Sequence, residues 1–318
     1  MYLSCLGKTE FKVSKIGFGA WAIGSNSYGL IELKDAHECI QTYLDYGGNF
    51  IDTARVYGDS EKIIGDYLSG KDIYYKIYIC SKTMNTESRE QIPKIKENLE
   101  QSLRMLKRDY IDLYYLHSPT SDMETLKYIL EELESFKAKG KIRSIGASIK
   151  GPDVTETTQE LCLKYSDFKQ IDVIQLVYSI LRQQNDKIFD QLAKKDIGIV
   201  ARTVLESGFL TDKYLSGYKF NNGDHRLRWG AGKQKLILNA VTNIKKIISQ
   251  YSYNNLAEFS INFAAQNPFV STLIIGAKNK TQMISNINAF SGKMLNDCLV
   301  KKLKEIYWDK THIFNTEE

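Results

Sequence analysis

Eight short apolar runs recur along the chain, and most of the segments between them show the apolar spacing of amphipathic helices. The runs are continuous rather than alternating and rich in Ile, Val, Leu and Tyr, which is typical of strands buried on both faces of a parallel sheet. They cover residues 15–19, 49–53, 77–82, 111–117, 144–148, 173–178, 198–202 and 272–277. This alternation predicts an α/β fold, a closed (β/α)8 TIM barrel. An open doubly wound sheet is the main alternative, but its first strand would be followed by a GxGxxG turn, and none occurs there.

The rest of the chain is predicted from the same patterns. Helical spacing covers residues 33–47, 60–68, 88–107, 123–140, 185–195, 236–251 and 281–290. Residues 1–14, with a turn at Gly7, predict an N-terminal β-hairpin that caps the bottom of the barrel. Residues 203–253 predict an extended loop and helix inserted after strand seven, and so long a loop is usually functional. Because the chain has only 4 prolines and no linker, we expect residues 1–318 to form a single domain.

Composition narrows the classes of partner. The 318 residues are 43% hydrophobic and 25% charged, as in ordinary globular proteins. The net charge of +5 comes from scattered lysines, so we expect a small-molecule substrate and no nucleic acid. No window approaches the roughly 18 apolar residues of a membrane helix, and the N-terminus lacks the apolar core of a signal peptide, so we expect a cytoplasmic protein without a membrane partner. The 5 cysteines form no CxxC pair, which predicts free thiols and no metal site.

Polar side chains follow three successive apolar runs. Asp52, Lys82 and His117 stand at the ends of the second, third and fourth runs, and Tyr57 lies in the loop after the second. The carboxyl ends of barrel strands meet at one mouth, so we expect these four side chains to be neighbours. A lysine ammonium stabilises a phenolate, an aspartate compensates the buried ammonium, and a histidine orients a carbonyl oxygen. The set predicts a proton donor for carbonyl reduction, with the electrons supplied by a hydride cofactor.

Several motifs in the expected order resemble the aldo-keto reductase family. They are "GFGAWAIG", "FIDTARVYGDSEKIIGDYL", "LYYLHSP", "GKIRSIGAS", "ARTVLESGFLTDKY" and "IIGAKNKTQMISNINA". The resemblance implies that Tyr57 is the proton donor, that Lys82 and Asp52 tune it, and that His117 positions the substrate carbonyl. It also implies that Trp21 forms a wall beside the substrate, although a plain core tryptophan is an alternative.

The resemblance further implies a nicotinamide cofactor, with NADPH favoured over NADH because Lys278 would pair with the 2′-phosphate. Ser148 and Gln175 would hold the carboxamide, and Arg202 would stack on the nicotinamide. Ile149 departs from the family, which often has asparagine there. The implied cofactor-binding residues are Gly19, Ala20, Asp52, Ser148, Gln175, Arg202, Val204, Leu205, Ser207, Gly208, Lys213, Gly276, Lys278, Gln282 and Asn286.

Two other functions stay open from the sequence. One is a non-catalytic NADPH-sensing subunit on the same fold, as the family supplies to some potassium channels. The other is a barrel lyase that uses Lys82 to form a Schiff base. Near the mouth, Arg55 and Glu206 are expected to be solvated charges, and Trp229 is expected either to touch a ligand or to pack locally.

Overall fold

A computed structural model describes residues 1–25, 27–84, 86–149, 155–217, 219–253, 255–307 and 314. Within them ten strands form a hairpin and a barrel. They are β1 (Leu3–Cys5), β2 (Lys12–Ser14), β3 (Ile16–Gly19), β4 (Phe50–Asp52), β5 (Tyr78–Thr83), β6 (Ile111–His117), β7 (Ile142–Ser148), β8 (Val173–Val177), β9 (Gly198–Arg202) and β10 (Val270–Ile275). Strands β3 to β10 are parallel and close into a barrel in which β10 pairs with β3. The predicted (β/α)8 barrel is therefore confirmed, with strand ends within about two residues of the predicted ones.

Helices separate the barrel strands. They are α1 (Trp21–Gly24), α2 (Leu33–Asp45), α3 (Ser60–Leu68), α4 (Ile92–Leu106), α5 (Met123–Ala138), α6 (Glu156–Ser166), α7 (Asp186–Ala193), α8 (Ala231–Ser249), α9 (Leu256–Ala265), α10 (Lys280–Ala289) and α11 (Asp297–Tyr307). Helix α8 begins five residues before its predicted start, since its first turn, AGKQK, carries almost no apolar periodicity. Helix α9 was missed because it is buried nearly all round and so lacks an amphipathic pattern. Helices α6 and α11 also have no counterpart in the prediction.

The N-terminal hairpin closes one end of the barrel, as predicted. Strands β1 and β2 pair antiparallel. Leu6, Phe11 and Val13 from this hairpin are buried in one apolar cluster with barrel side chains such as Phe50 and Cys80. Burial of these large apolar groups stabilises the hairpin against the barrel. Because the hairpin covers this end of the barrel, we expect the reactive site at the opposite end.

Strand register brings the predicted polar residues level with one another. His117 pairs with Ser148 across β6 and β7, and Ser148 pairs with Gln175 across β7 and β8. Asp52 pairs with Gly19 on the other side of the barrel. These pairs stand at or near the carboxyl ends of their strands, where active sites of such barrels form.

Two further properties concern the chain as a whole. The structure describes no helix that is both long and apolar enough to cross a membrane. The cysteines are free, as predicted: Cys39, Cys80 and Cys162 are buried, whereas Cys5 and Cys298 are exposed.

Candidate active site

The ammonium of Lys82 is the centre of the polar network at the mouth of the barrel. Its Nζ lies 2.5 Å from Asp52 Oδ1, 2.8 Å from the carbonyl oxygen of Thr53 and 3.4 Å from the hydroxyl of Tyr57. Lys82 is fully buried and Asp52 is 2% exposed, so the two charges must compensate one another. Burial alone would lower the pKa of Lys82, but the negative charge of Asp52 and its hydrogen bond raise it overall. Lys82 is therefore a permanent cation beside the phenol.

The second oxygen of Asp52 belongs to a chain of side-chain hydrogen bonds. Gln175 Nε2 donates to Asp52 Oδ2 over 2.7 Å, and Ser148 Oγ donates to Gln175 Oε1 over 2.9 Å. Both Ser148 and Gln175 are buried, and Gln175 also lines the cavity described below, which Ser148 does not. The chain fixes the rotamer of Gln175 and holds Asp52 toward Lys82.

Tyr57 is held in place by a close approach of two backbone segments. Gly58 follows it with φ +58°, and a Cβ at Gly58 would fall 2.1 Å from the carbonyl oxygen of Gly24. Only glycine fits this left-handed, crowded position. Ser60 Oγ secures the same loop because it donates to the carbonyl oxygen of Ala20 over 3.0 Å. The glycine in the YGDSE motif is thus needed to place the Tyr57 phenol beside Lys82.

His117 faces Tyr57 across the cavity. The two rings lie 6.0 Å apart between centroids at 83°. Burial, with the cations of Lys82 and Arg202 acting in the same direction, lowers the pKa of His117 to about 3. The ring is therefore neutral at physiological pH and keeps one N–H for donation. Its Nδ1 atom is buried and has no hydrogen-bond partner among the described residues.

A buried ion pair joins Glu206, in the loop after β9, to Arg182, in the loop after β8. Arg182 Nη2 lies 2.5 Å from Glu206 Oε2, Arg182 Nε donates to Oε1 over 2.9 Å, and Ser179 Oγ also bonds Oε1. Glu206 is fully buried, so the prediction that it is a solvated charge is wrong. Its partner Arg182 lies on another loop, and residue spacing along the chain does not reveal such a pairing. Thr203, Glu206 and Ser207 have positive φ values of 65°, 47° and 55°. Such strained backbone persists where the surroundings hold it, and it is concentrated at functional sites.

A cavity of about 790 Å³ opens at this mouth. Its lining includes most of the predicted site residues: Gly19, Trp21, Asp52, Tyr57, His117, Gln175, Arg202, Val204, Leu205, Ser207, Gly208, Lys213, Gly276, Lys278, Gln282 and Asn286. Lys82, Ser148 and Ala20 lie behind the lining and are buried. The volume falls in the range of cofactor sites, at roughly 300–1,000 Å³. The reacting groups and the distant residues of the closing motif therefore share one cavity large enough for a dinucleotide.

The residues at the far side of the cavity suit a phosphate-bearing ligand. Lys278 donates from Nζ to the carbonyl oxygen of Tyr28, and its backbone N–H donates to Gln282 Oε1 over 3.0 Å. Burial lowers the pKa of Lys278, and the cations of Lys213 and Arg226 act in the same direction. Asn279 caps the start of α10 by accepting from the N–H of Gln282. Cations crowded beside a helix N-terminus are a favourable setting for phosphate.

Arg202 is fixed by the residue that departs from the family pattern. Its Nη2 donates to the carbonyl oxygen of Ile149 over 2.8 Å, and its Nη1 donates to Thr203 Oγ1 over 3.3 Å. The Ile149 side chain is buried. The backbone at this position thus orients a guanidinium.

Sequence reasoning missed several residues that line the cavity, including Tyr28, Arg182, His225, Arg226 and Arg228. The last three lie in the polar loop 221–230, where no periodic pattern shows which side chains turn inward. Trp229 packs locally, since it is 1% exposed and its ring lies 5.7 Å from that of Phe209. Arg55 is partly buried and pairs with the buried Glu61 at 2.7 Å, so it is not the solvated charge that we predicted.

Comparison with known proteins supplies an independent view. Residues 15–307 match the family model described as Aldo/keto reductase family. The aldo-keto reductase YhdN of Bacillus subtilis (strain 168) is 26% identical over 308 residues, which cover 93% of this chain and 90% of that protein. A probable voltage-gated potassium channel subunit beta of Oryza sativa subsp. japonica is 26% identical over 334 residues, with 96% of each chain covered. A solved aldo-keto reductase from Bacillus halodurans (holo form) has the same fold, with a TM-score of 0.76 at 24% identity over 95% of this chain and 96% of that one.

Proposed function

The chain belongs to the aldo/keto reductase family, and from this premise we propose that it is an NADPH-dependent reductase of aldehydes or ketones. The observation that carries the proposal is the contact of the buried Lys82 ammonium with both Asp52 and the Tyr57 hydroxyl. That contact places a buried cation beside the Tyr57 hydroxyl, where it would stabilise the phenolate formed when Tyr57 donates its proton. A surface tyrosine without such a neighbour has no comparable reason to ionise.

The residues divide the work of reduction as follows. When bound, the reduced nicotinamide supplies the hydride that reaches the carbonyl carbon. Tyr57 donates its hydroxyl proton to the carbonyl oxygen, and Lys82 stabilises the phenolate that remains. The neutral His117 donates an N–H to the same oxygen and orients it. Solvent entering the cavity then returns a proton to Tyr57.

Other residues hold the cofactor in this proposal. Gln175, oriented by Ser148, offers its remaining lone pair and N–H to the carboxamide, and Arg202 stacks on the nicotinamide. Ser207, Gly208 and Lys213 approach the pyrophosphate, and Lys278 approaches the 2′-phosphate. Gln282 and Asn286 are proposed to flank the adenine.

The assay that tests the proposal is consumption of NADPH in the presence of 4-nitrobenzaldehyde, followed at 340 nm with parallel identification of the alcohol. We expect turnover that depends on both compounds. Binding of NADPH without turnover of any carbonyl compound in a broad panel would contradict the proposal. It would favour the second candidate, a cofactor-sensing subunit, which the similarity to potassium channel beta subunits supports.

A Schiff-base lyase is disfavoured by the surroundings of Lys82. A nucleophilic lysine must be neutral and reachable by the substrate. Here the amine is fully buried, its pKa is raised, and it donates to Asp52 and Thr53. Borohydride treatment with carbonyl substrates is therefore expected to leave Lys82 unmodified.

Lys278→Met is expected to weaken NADPH binding by about 10- to 100-fold, because one charge-assisted contact to the 2′-phosphate is lost. Binding of NADH, which lacks that phosphate, should change by no more than about threefold. The measurement is titration of protein fluorescence with each cofactor. Lys301→Met, an exposed lysine on α11, is the matched control. Equal losses of affinity for NADPH and NADH would show that Lys278 does not bind the 2′-phosphate.

A further inference from the structure

The cationic side chains around the cavity fall into two groups. Six of them line it: Arg182, Arg202, Lys213, Arg226, Arg228 and Lys278. Lys278 is influenced by the charges of Lys213 and Arg226, which form the group beside the start of α10. Arg228 is influenced by Tyr28 and by the cations of Arg182 and Arg202. The second group, Arg182, Arg202 and Arg228, is called the inner arginines below.

The inner arginines carry more charge than their bonded partners balance, and one of them, Arg202, lies near the reacting groups. Arg202 is influenced by Tyr57 and Asp52, which places Arg202 at the catalytic end of the cavity. Glu206 compensates Arg182, whereas the oxygens that Arg202 bonds among the described residues, those of Ile149 and Thr203, are neutral. Among the described residues, neither Arg202 nor Arg228 forms an ion pair with a carboxylate. Two guanidiniums of the cavity lining are therefore without a directly bonded carboxylate in the part of the chain that the structure describes.

Arg228 is held in position by two aromatic rings, that of the buried Trp229 behind the cavity lining and that of His225 on one wall of the cavity. Its guanidinium lies 4.2 Å from the ring centroid of Trp229, and its Nη1 contacts the ring nitrogens of His225. The wall continues to the catalytic end, because the His225 ring lies 4.4 Å from Trp21 and Trp21 lies 6.1 Å from Tyr57. A guanidinium stacked in this way is preorganised for two parallel hydrogen bonds to a carboxylate or phosphate.

The geometry points to a carbonyl substrate that carries an anionic group, a carboxylate or a phosphate, bound by Arg228 while its carbonyl oxygen lies between Tyr57 and His117. This inference rests on the proposed reductase function and adds the substrate class to it. Crowding supports it, because the charges of Arg182 and Arg202 disfavour a third cation at Arg228. An anion brought by the substrate relieves that crowding. Arg228 is then a substrate-binding residue that selects acidic aldehydes or ketones over neutral ones.

The test compares 4-carboxybenzaldehyde with its neutral methyl ester, methyl 4-formylbenzoate. In the parent protein we expect kcat/KM to be about tenfold or more higher for the acid, mainly through KM. Arg228→Met should lower the ratio of the two kcat/KM values by about tenfold or more, to near 1, and Arg228→Lys should lower it less because the charge remains. Arg104→Met, at an exposed site on α4 away from the cavity, should keep the parent ratio. Thermal unfolding verifies that each variant is folded.

A binding measurement separates this inference from the reductase proposal. Because Trp21 lines the cavity and Trp229 stacks on Arg228, quenching of tryptophan fluorescence by 4-methylbenzoate, compared with 4-methylbenzamide, reports occupancy of the anion site without turnover. Suppose that the protein reduces neither aldehyde but binds the benzoate in a way that depends on Arg228. This result would support the anion site and contradict the proposed reductase function. An unchanged acid-to-ester ratio in Arg228→Met would overturn the inference. So would a loss of NADPH affinity as large as the loss of benzoate affinity, since Arg228 would then belong to the cofactor site.

Discussion

Tyr57→Phe is expected to abolish carbonyl reduction, with kcat lowered by about 10³-fold or more. The substitution removes only the hydroxyl, so the ring keeps its contacts with Trp21 and His117. General acid catalysis by a positioned group contributes roughly 10²–10⁴-fold. Here the lost proton donor also leaves the alkoxide that forms on the substrate without its nearest partner. The measurement is kcat for 4-nitrobenzaldehyde with saturating NADPH.

The same variant separates a chemical role of Tyr57 from a structural one. NADPH affinity, measured by fluorescence titration, should stay within about threefold of the parent, because no cofactor contact is assigned to the phenol oxygen. Tyr67→Phe is a matched control, since that hydroxyl bonds Gln41 on the exposed outer side of the barrel at 2.6 Å. Turnover by Tyr57→Phe within tenfold of the parent would reject Tyr57 as the proton donor.

The barrel and the catalytic neighbours were predictable because both follow from short-range patterns. A strand buried on two faces is a continuous apolar run, so its carboxyl end can be read directly, as for Asp52 and His117. The closed topology then brings those ends together without further information. Helix α9 was missed for the complementary reason: a helix buried nearly all round has no contrast between its faces.

The long-range partners in the irregular loops were not predictable. Glu206 lies in a polar stretch, so the sequence predicts a solvated side chain. It is buried instead, because Arg182, 24 residues earlier, donates to both of its carboxylate oxygens. Arg228 and His225 lie in a segment without a periodic apolar pattern, so the sequence does not show that their side chains face the cavity. Such pairings depend on how two loops of different length fold against each other, which spacing along the chain does not encode.

Lys82→Met is expected to cost both activity and stability. The ammonium that stabilises the Tyr57 phenolate is lost, so kcat should fall by about 10³-fold. In addition, the Asp52 carboxylate stays buried, and the Gln175 amide is its remaining side-chain partner among the described residues. Removing one member of a buried ion pair typically costs about 3–5 kcal/mol of folding free energy. Urea unfolding measures this loss, and Lys62→Met, in an exposed pair with Asp66, should change stability little.

Adding Asp52→Asn to Lys82→Met should restore stability without restoring activity. The amide removes the uncompensated charge and can still accept the hydrogen bond from Gln175, so we expect the double variant to recover about 2 kcal/mol relative to Lys82→Met. Its kcat should remain as low as that of the single variant, because Tyr57 still lacks a cation. If the double variant were no more stable than Lys82→Met, the loss would come from packing of the lysine stem rather than from an unpaired carboxylate. If its activity recovered, the Lys82 charge would not be what makes Tyr57 a proton donor, and the mechanism built on it would fail.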